Sequence, residues 1–202
     1  MADNNNSRVL LASASPRRRD LLDQVGVSYR VKPADIDETP LAGEAPKPYT
    51  LRIAREKVEK GALARQTGEI VLGADTSVVV GDRMLGKPAS ESEAAEMLRM
   101  LSGVTHQVYT AVAVMNPQGA IEACLSISDV EFAHMDDGWI RSYIATGEPM
   151  DKAGSYGIQG WAGCQIRRVS GSYSSIMGLP LYETAQLLGN AGLVLPQIPR
   201  SA

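Results

Sequence analysis

The chain has 202 residues, 44% of them hydrophobic and 21% charged, with 20 basic against 23 acidic side chains. That balance suits a globular protein long enough to bury a core, and it excludes a general nucleic-acid coat. No run approaches the ~20 apolar residues of a membrane span, the polar head at residues 1–7 has no signal-peptide core, and two cysteines with two histidines give no metal spacing.

Those two thiols, Cys124 and Cys164, are expected to be free in a cytoplasmic compartment. With only His106 and His134 available, any metal is expected to be a hard ion held by carboxylates and phosphate.

Along the chain, Val9, Leu10 and Leu11 predict a short buried strand. Ser15-Pro16 predicts a helix start: a hydroxyl to cap free N–H groups, then proline where its missing donor is harmless. Leu21, Leu22 and Val25 share one face of that helix, and Gly26 stops it. Arg17, Arg18 and Arg19 then crowd the first turn, where the macrodipole disfavours each cation by up to ~1 kcal/mol. An anion resolves the conflict. Free N–H groups, the Ser13 and Ser15 hydroxyls and the guanidinium forks together make a phosphate cradle; a solvated basic turn is the alternative.

Residues 28–32 read as a second strand, 34–45 as a loop holding Asp35, Asp37 and Glu38, and 49–65 as an amphipathic helix carrying Lys57. Two strands, 70–72 and 77–80, are expected on either side of Asp75 and Thr76. A carboxylate interrupting an apolar run must be paired, bind a metal or carry a raised pKa. A turn at 81–82 precedes Lys87, which Pro88 holds extended. Ser90 with Glu93 makes a capping box for a helix ending near Leu101. Residues 108–115 and 121–132 form a hairpin across 116–119, and Asp136 caps a helix that Gly147 ends.

The next segment, 151–163, has glycine at 154, 157, 160 and 163. Within it Gln159 offers both a donor and an acceptor, enough to read an amide-like edge. A plain glycine-rich surface loop is the alternative. A strand at 166–169 and a helix at 180–188 complete the chain. Strands alternating with helices, plus one hairpin, give an α/β fold with a mixed central sheet. No Walker A, HExxH or GxSxG motif occurs. By themselves these residues indicate a phosphate-binding α/β protein, with hydrolysis as one option.

The ordered segments LASASPRRRDLL, DIDETP, REK (55–57), GADT (73–76), GKP (86–88), SGVTHQVYTAV and DKAGSYGIQG resemble the Maf family of nucleoside triphosphate pyrophosphatases. The resemblance runs from about Leu10 to Leu188. It implies one domain over residues 1–202, ordered over about 8–192 with flexible tails, built as two lobes around a central mixed sheet with the active site in the cleft between them. It implies hydrolysis between the α and β phosphates to the monophosphate and pyrophosphate, with Mg or Mn, in a cytoplasmic homodimer. Ser13, Arg17, Arg18, Glu38, Lys57 and Lys87 are then triphosphate-site residues. Asp75 is the proton acceptor, and Glu38 and Asp75 are the metal-site carboxylates. Arg19 has no transferable role and is expected in solvent.

Arg17, Thr76 and Gln159 match the family branch acting on dTTP and UTP, with modified pyrimidine nucleotides as further substrates; the 7-methyl-GTP branch tends to carry a bulky apolar residue, Gln and Glu there. A Gln159 amide can accept from the uracil or thymine N3–H and donate to a carbonyl. Two rival readings are a purine-type housecleaning pyrophosphatase of the inosine-triphosphate kind and a nucleotide-sensing regulator of cell division.

Overall fold

The computed structural model describes residues 9–195; the flexible tails expected from the sequence lie outside that range apart from residues 193–195. The described elements begin with β1 (Val9–Leu11), α1 (Pro16–Gln24), β2 (Tyr29–Val31) and α2 (Pro46–Ala62). The middle of the chain gives β3 (Ile70–Val80), β4 (Arg83–Leu85), α3 (Glu91–Leu101) and the long pair β5 (Thr105–Met115) and β6 (Ile121–Phe132). After α4 (Asp137–Ala145) come three 3-10 turns at Glu148–Asp151, Ala153–Ser155 and Trp161–Gln165, then β7 (Ile166–Ser170), α5 (Tyr173–Met177) and α6 (Leu181–Asn190). No helix among the described residues is long and apolar enough to cross a membrane.

One sheet runs through the molecule in the order β2-β1-β3-β5-β6-β7, with β4 also on β3. β1 is parallel to both neighbours and the remaining pairs are antiparallel. Strand β1 is buried throughout, as a parallel strand covered on both faces should be. The sheet is mixed, as expected. On one face Leu21 and Leu22 of α1 and Leu187 and Leu188 of α6 pack on Ile70, Leu72 and Ala74; on the other, Ala54 and Val58 of α2 pack on Leu10, Val71 and Ala111. A separate cluster of Leu98 and Leu101 from α3, Ile140 and Tyr143 from α4, and Val78, Val108, Val130 and Phe132 from the far ends of the long strands forms the second lobe.

The structure corrects several local expectations. Residues 70–80 form one strand, not two: Asp75 and Thr76 pair with Ala111 and Thr110 without a break. Ser15 occupies the N-cap of α1 but makes no side-chain cap bond; the Ser13 Oγ accepts the Ser15 N–H instead, at 3.2 Å. Val25 lies past the end of α1 and is 36% exposed. The cap of α3 forms as expected, with Ser90 Oγ accepting from Glu93 N–H, while the Glu93 carboxylate accepts from Ala89 N–H, one residue before the N-cap. Gly26 ends α1 with φ 68°, and the Asp136 side chain caps α4 through Trp139 N–H, both as expected.

The sheet also fixes where a ligand can enter. Chain order takes β1 to β2 on one side and then across to β3 on the other, so β1 and β3 form a switch point, where α/β proteins open a crevice beyond the strand ends. On that edge of β3, β1 pairs with residues 70–72 and β4 with 78–80. Among the described residues no strand lies beside 73–77 on that edge. The gap is where the two lobes part.

Candidate active site

The gap opens into a cleft of about 660 Å³ whose lining includes Ser13, Arg17, Arg18, Glu38, Lys57, Asp75, Thr76, Lys87 and Gln159. These nine residues singled out from sequence therefore share one cavity, although they come from segments as far apart as α1 and the glycine-rich turns.

Alternation along β3 divides the floor. Val71 packs toward α2 while Leu72 and Ala74 pack toward α1 and α6, so Asp75 faces α2 and Thr76 faces the opposite side. At Gly73, α2 comes so near that a Cβ would stand 2.9 Å from the Ala54 carbonyl oxygen. A side chain there would push the helix away, and the helix carries Lys57. The Lys57 ammonium donates to Asp75 Oδ1 at 2.8 Å and pairs with Glu38 Oε1, also at 2.8 Å. Lys57 and Asp75 are 8% and 6% exposed, so this is a buried cation between two carboxylates.

Glu38 arrives from the loop after β2. Its main-chain carbonyl accepts from the Tyr49 hydroxyl at 2.9 Å. Arg52 pins the same loop, forking onto both oxygens of Glu44 and donating to the Thr39 carbonyl. Burial pushes the Glu38 carboxyl upward, but the hydrogen bond and charge of Lys57, with Lys87 and Arg18, outweigh it and hold Glu38 below the usual carboxylate range. Burial first, then the charges of Asp75 and Glu38, push the Tyr49 hydroxyl up to about 12. Neither Arg52 nor Tyr49 stood out in the sequence, since each reads as an ordinary residue of an amphipathic helix.

The three consecutive arginines have three different fates. Arg17 donates to Asp151 Oδ2 at 3.2 Å across the cleft. Arg18 turns inward and donates to the Gly178 carbonyl at 2.8 Å and to Ser13 Oγ at 2.8 Å, with Thr76 Oγ1 at 3.5 Å. Burial lowers its pKa against the raising effect of Asp75. Arg19 is exposed, as expected. The anion cradle is thus narrower than the sequence suggests: Arg18 supports the wall through the turn after α5, and the Ser13 hydroxyl is already committed to Arg18 and the Ser15 N–H.

Thr76 bonds Thr110 Oγ1 at 3.1 Å, and Thr110 in turn donates to the Ser175 carbonyl. Lys87 and Gln159 are exposed at the mouth, and neither side chain has a hydrogen bond or ion pair among the described residues. Lys152 also lines the cleft, bonding Asp151 Oδ1 and the Glu148 carbonyl, both at 2.6 Å. It is a cation that sequence reasoning passed over inside the DKAG segment.

The donor set has a definite chemical character. No group of three or more His, Cys, Asp or Glu side chains that could hold a metal occurs among the described residues. Two carboxylates sharing one ammonium beside a cationic cleft do not make an all-protein cage. They do fit a small hard cation that takes its remaining ligands from phosphate and water.

Residues 8–191 match the family model described as Maf-like protein. A protein of Methylobacillus flagellatus named dTTP/UTP pyrophosphatase is 47% identical over 195 residues, covering 96% of this chain and 98% of that protein. One of Anaeromyxobacter dehalogenans with the same name is 49% identical over 192 residues, covering 94% and 96%. Among solved structures, a nucleoside-triphosphatase / dITP/XTP pyrophosphatase of Mycobacterium abscessus is 21% identical with a TM-score of 0.40, covering 63% of this chain and 75% of that one.

Proposed function

Because the chain belongs to the Maf family, we propose that it is a hydrolase that cleaves dTTP and UTP between the α and β phosphates, giving the monophosphate and pyrophosphate. The observation that carries this reading is the buried Asp75–Lys57 pair, with the half-exposed Glu38 carboxylate on the same ammonium, in a cleft also lined by Arg17 and Lys87. Such a site matches a polyanion at its rim and a proton-accepting carboxylate at its base. The two lobes share one sheet, which supports a single functional domain.

In this mechanism Arg17 and Lys87 hold the triphosphate by charge-assisted bonds, and Arg17 exchanges Asp151 for a phosphate oxygen as substrate enters. Lys57 stays beside the floor carboxylates and offsets negative charge as it develops at the reacting phosphoryl group. Asp75 Oδ1 is occupied by Lys57, while Oδ2 has no hydrogen bond among the described residues. Oδ2 accepts the proton of the attacking water, as a general base positioned by its own ion pair. A divalent cation bound by Glu38, Asp75 and the substrate would supply further charge neutralisation at the phosphates. Gln159 and Thr76, with Arg17, select the base.

Screening purified protein against nucleoside triphosphates for pyrophosphate release tests the reading. Preferred release from dTTP and UTP supports it, and a preference for a purine triphosphate overturns the pyrimidine assignment.

A further inference from the structure

Gln159 sits in a segment with little reason of its own to stay in place. Its side chain is exposed and unbonded among the described residues, and glycines flank it at 157 and 160. The main chain on both sides is nonetheless anchored. Before Gln159, the Gly157 N–H donates to the Tyr143 hydroxyl at 3.2 Å. After it, the Trp161 N–H donates to Glu148 Oε2 at 3.1 Å. The two anchors are one unit, because the Tyr143 hydroxyl donates to Glu148 Oε1 at 2.8 Å.

The unit is itself held. Trp139 stacks on the Tyr143 ring at 5.0 Å and 26°. Lys152 donates to the Glu148 carbonyl and to Asp151, and Asp151 pairs with Arg17. At Gly160 an added Cβ would overlap the Glu148 carboxylate, so the loop is seated directly on that group.

We propose that Glu148, acting with Tyr143, is a positioning residue for base recognition: its carboxylate fixes the main chain on both sides of Gln159 and thereby sets where the Gln159 amide meets the pyrimidine. The inference rests on the pyrimidine reading above and deepens it. Neither residue touches the triphosphate-binding groups except through Lys152 and Asp151, so their loss should fall on base selection more than on phosphate handling. A freed Gln159 loop can rotate its amide to suit cytosine, and discrimination by one bidentate contact depends on that geometry being held.

The experiment compares kcat/KM for UTP and CTP in the wild type, Glu148→Gln and Tyr143→Phe, with inhibition by inorganic pyrophosphate as the measure of phosphate handling. A glutamine has one oxygen for two donors, and phenylalanine removes the hydroxyl that joins the anchors. The UTP-to-CTP ratio is expected to fall at least fivefold in both, with the pyrophosphate inhibition constant within about twofold of wild type. Gly160→Ala should lower the ratio alone and add nothing to Glu148→Ala, since both act through one contact. Parallel loss on UTP and CTP, or an unchanged ratio, overturns the proposal; if Glu148→Gln does not fold, Tyr143→Phe decides it. A wild type that releases pyrophosphate fastest from a purine triphosphate overturns the pyrimidine reading instead, and one without preference for UTP over CTP overturns the assignment of base selection to Gln159 and this proposal with it.

Discussion

The Lys57 ammonium lies 2.8 Å from Asp75 Oδ1, inside the protein and at the point where β3 leaves one lobe for the other. That pairing gives stability and activity different dependences on the same two residues. Asp75→Asn should remove turnover by at least ~100-fold, the lower end of general-base contributions. Lys57→Ala leaves Asp75 buried without its main partner and should also lower stability, by up to about 3 kcal/mol. The double variant Lys57→Met, Asp75→Asn should regain most of that stability and none of the activity. Thermal unfolding and pyrophosphate release on the same preparations check this. A fully active Asp75→Asn removes Asp75 as the base.

Arg18 and Lys87 separate in the same way. Arg18 is buried, with its bonds to the Gly178 carbonyl and the Ser13 hydroxyl. Removing it strands the Gly178 carbonyl at ~1–3 kcal/mol and takes a charged partner from Ser13, so Arg18→Ala should lower the melting temperature as well as activity. Lys87 is exposed at the cleft mouth, and Lys87→Ala should raise KM for UTP and dTTP alike without moving the melting temperature. A base-dependent effect at Lys87 contradicts its placement on the triphosphate.

Stability should respond to pH through His106. This side chain is 1% exposed, bonded through Nε2 to the Tyr156 hydroxyl at 2.8 Å, and stacked on Phe132. Burial pushes its pKa down from 6.5 to about 4, with Asp129 opposing weakly. The unfolded chain therefore binds the proton first: between about pH 6.5 and 4 it holds more protons than the fold, and stability falls as pH falls through that window. The contribution is on the order of 3 kcal/mol at most, at ~1.4 kcal/mol per pH unit. Denaturant unfolding at pH 7 and pH 4.5 measures it, and His106→Gln should flatten the difference. An equal slope in the variant assigns the acid sensitivity elsewhere.

Much of this site is legible in the sequence because its residues stand where local rules are broken. Three cations at a helix start and a carboxylate in an apolar strand are such violations, and Arg17, Arg18 and Asp75 among them line the cleft. The strand itself was harder to read. Asp75 and Thr76 look like an interruption only while Lys57 and Thr110 are unseen; with partners on opposite faces, β3 runs straight through. Long-range partners explain the other misses. Nothing near Arg18 announces a carbonyl 160 residues away, nor that the Ser13 hydroxyl takes both Arg18 and the Ser15 N–H while the Ser15 side chain makes no cap bond. Tyr143 and Glu148 read as helix filler and turn, and their joint hold on Gly157 and Trp161 exists only in three dimensions.

The base-reading prediction follows from the exposure of Gln159. Its amide stands exposed in the cleft lining with no protein partner among the described residues, so it is free to bond a substrate base. Uracil and thymine offer an N3–H donor beside a carbonyl acceptor, the complement of an amide. Cytosine offers an unprotonated N3 beside an amine, and both bonds must reverse. Unpaired polar groups in a closed complex cost ~1–3 kcal/mol each, enough for tenfold or greater discrimination against CTP. The thymine methyl lies at C5, away from both bonds, so dTTP should be accepted beside UTP. Gln159→Glu keeps the acceptor and loses the donor. It should lower UTP and dTTP hydrolysis at least tenfold while lowering any activity on guanine nucleotides less, because a carboxylate accepts from guanine N1–H and its exocyclic amine. Steady-state kinetics on UTP, dTTP, CTP and GTP with both proteins measure the order directly. An unchanged substrate order in Gln159→Glu would place base recognition on other residues of the cleft, with Thr76 and Arg17 the next to substitute.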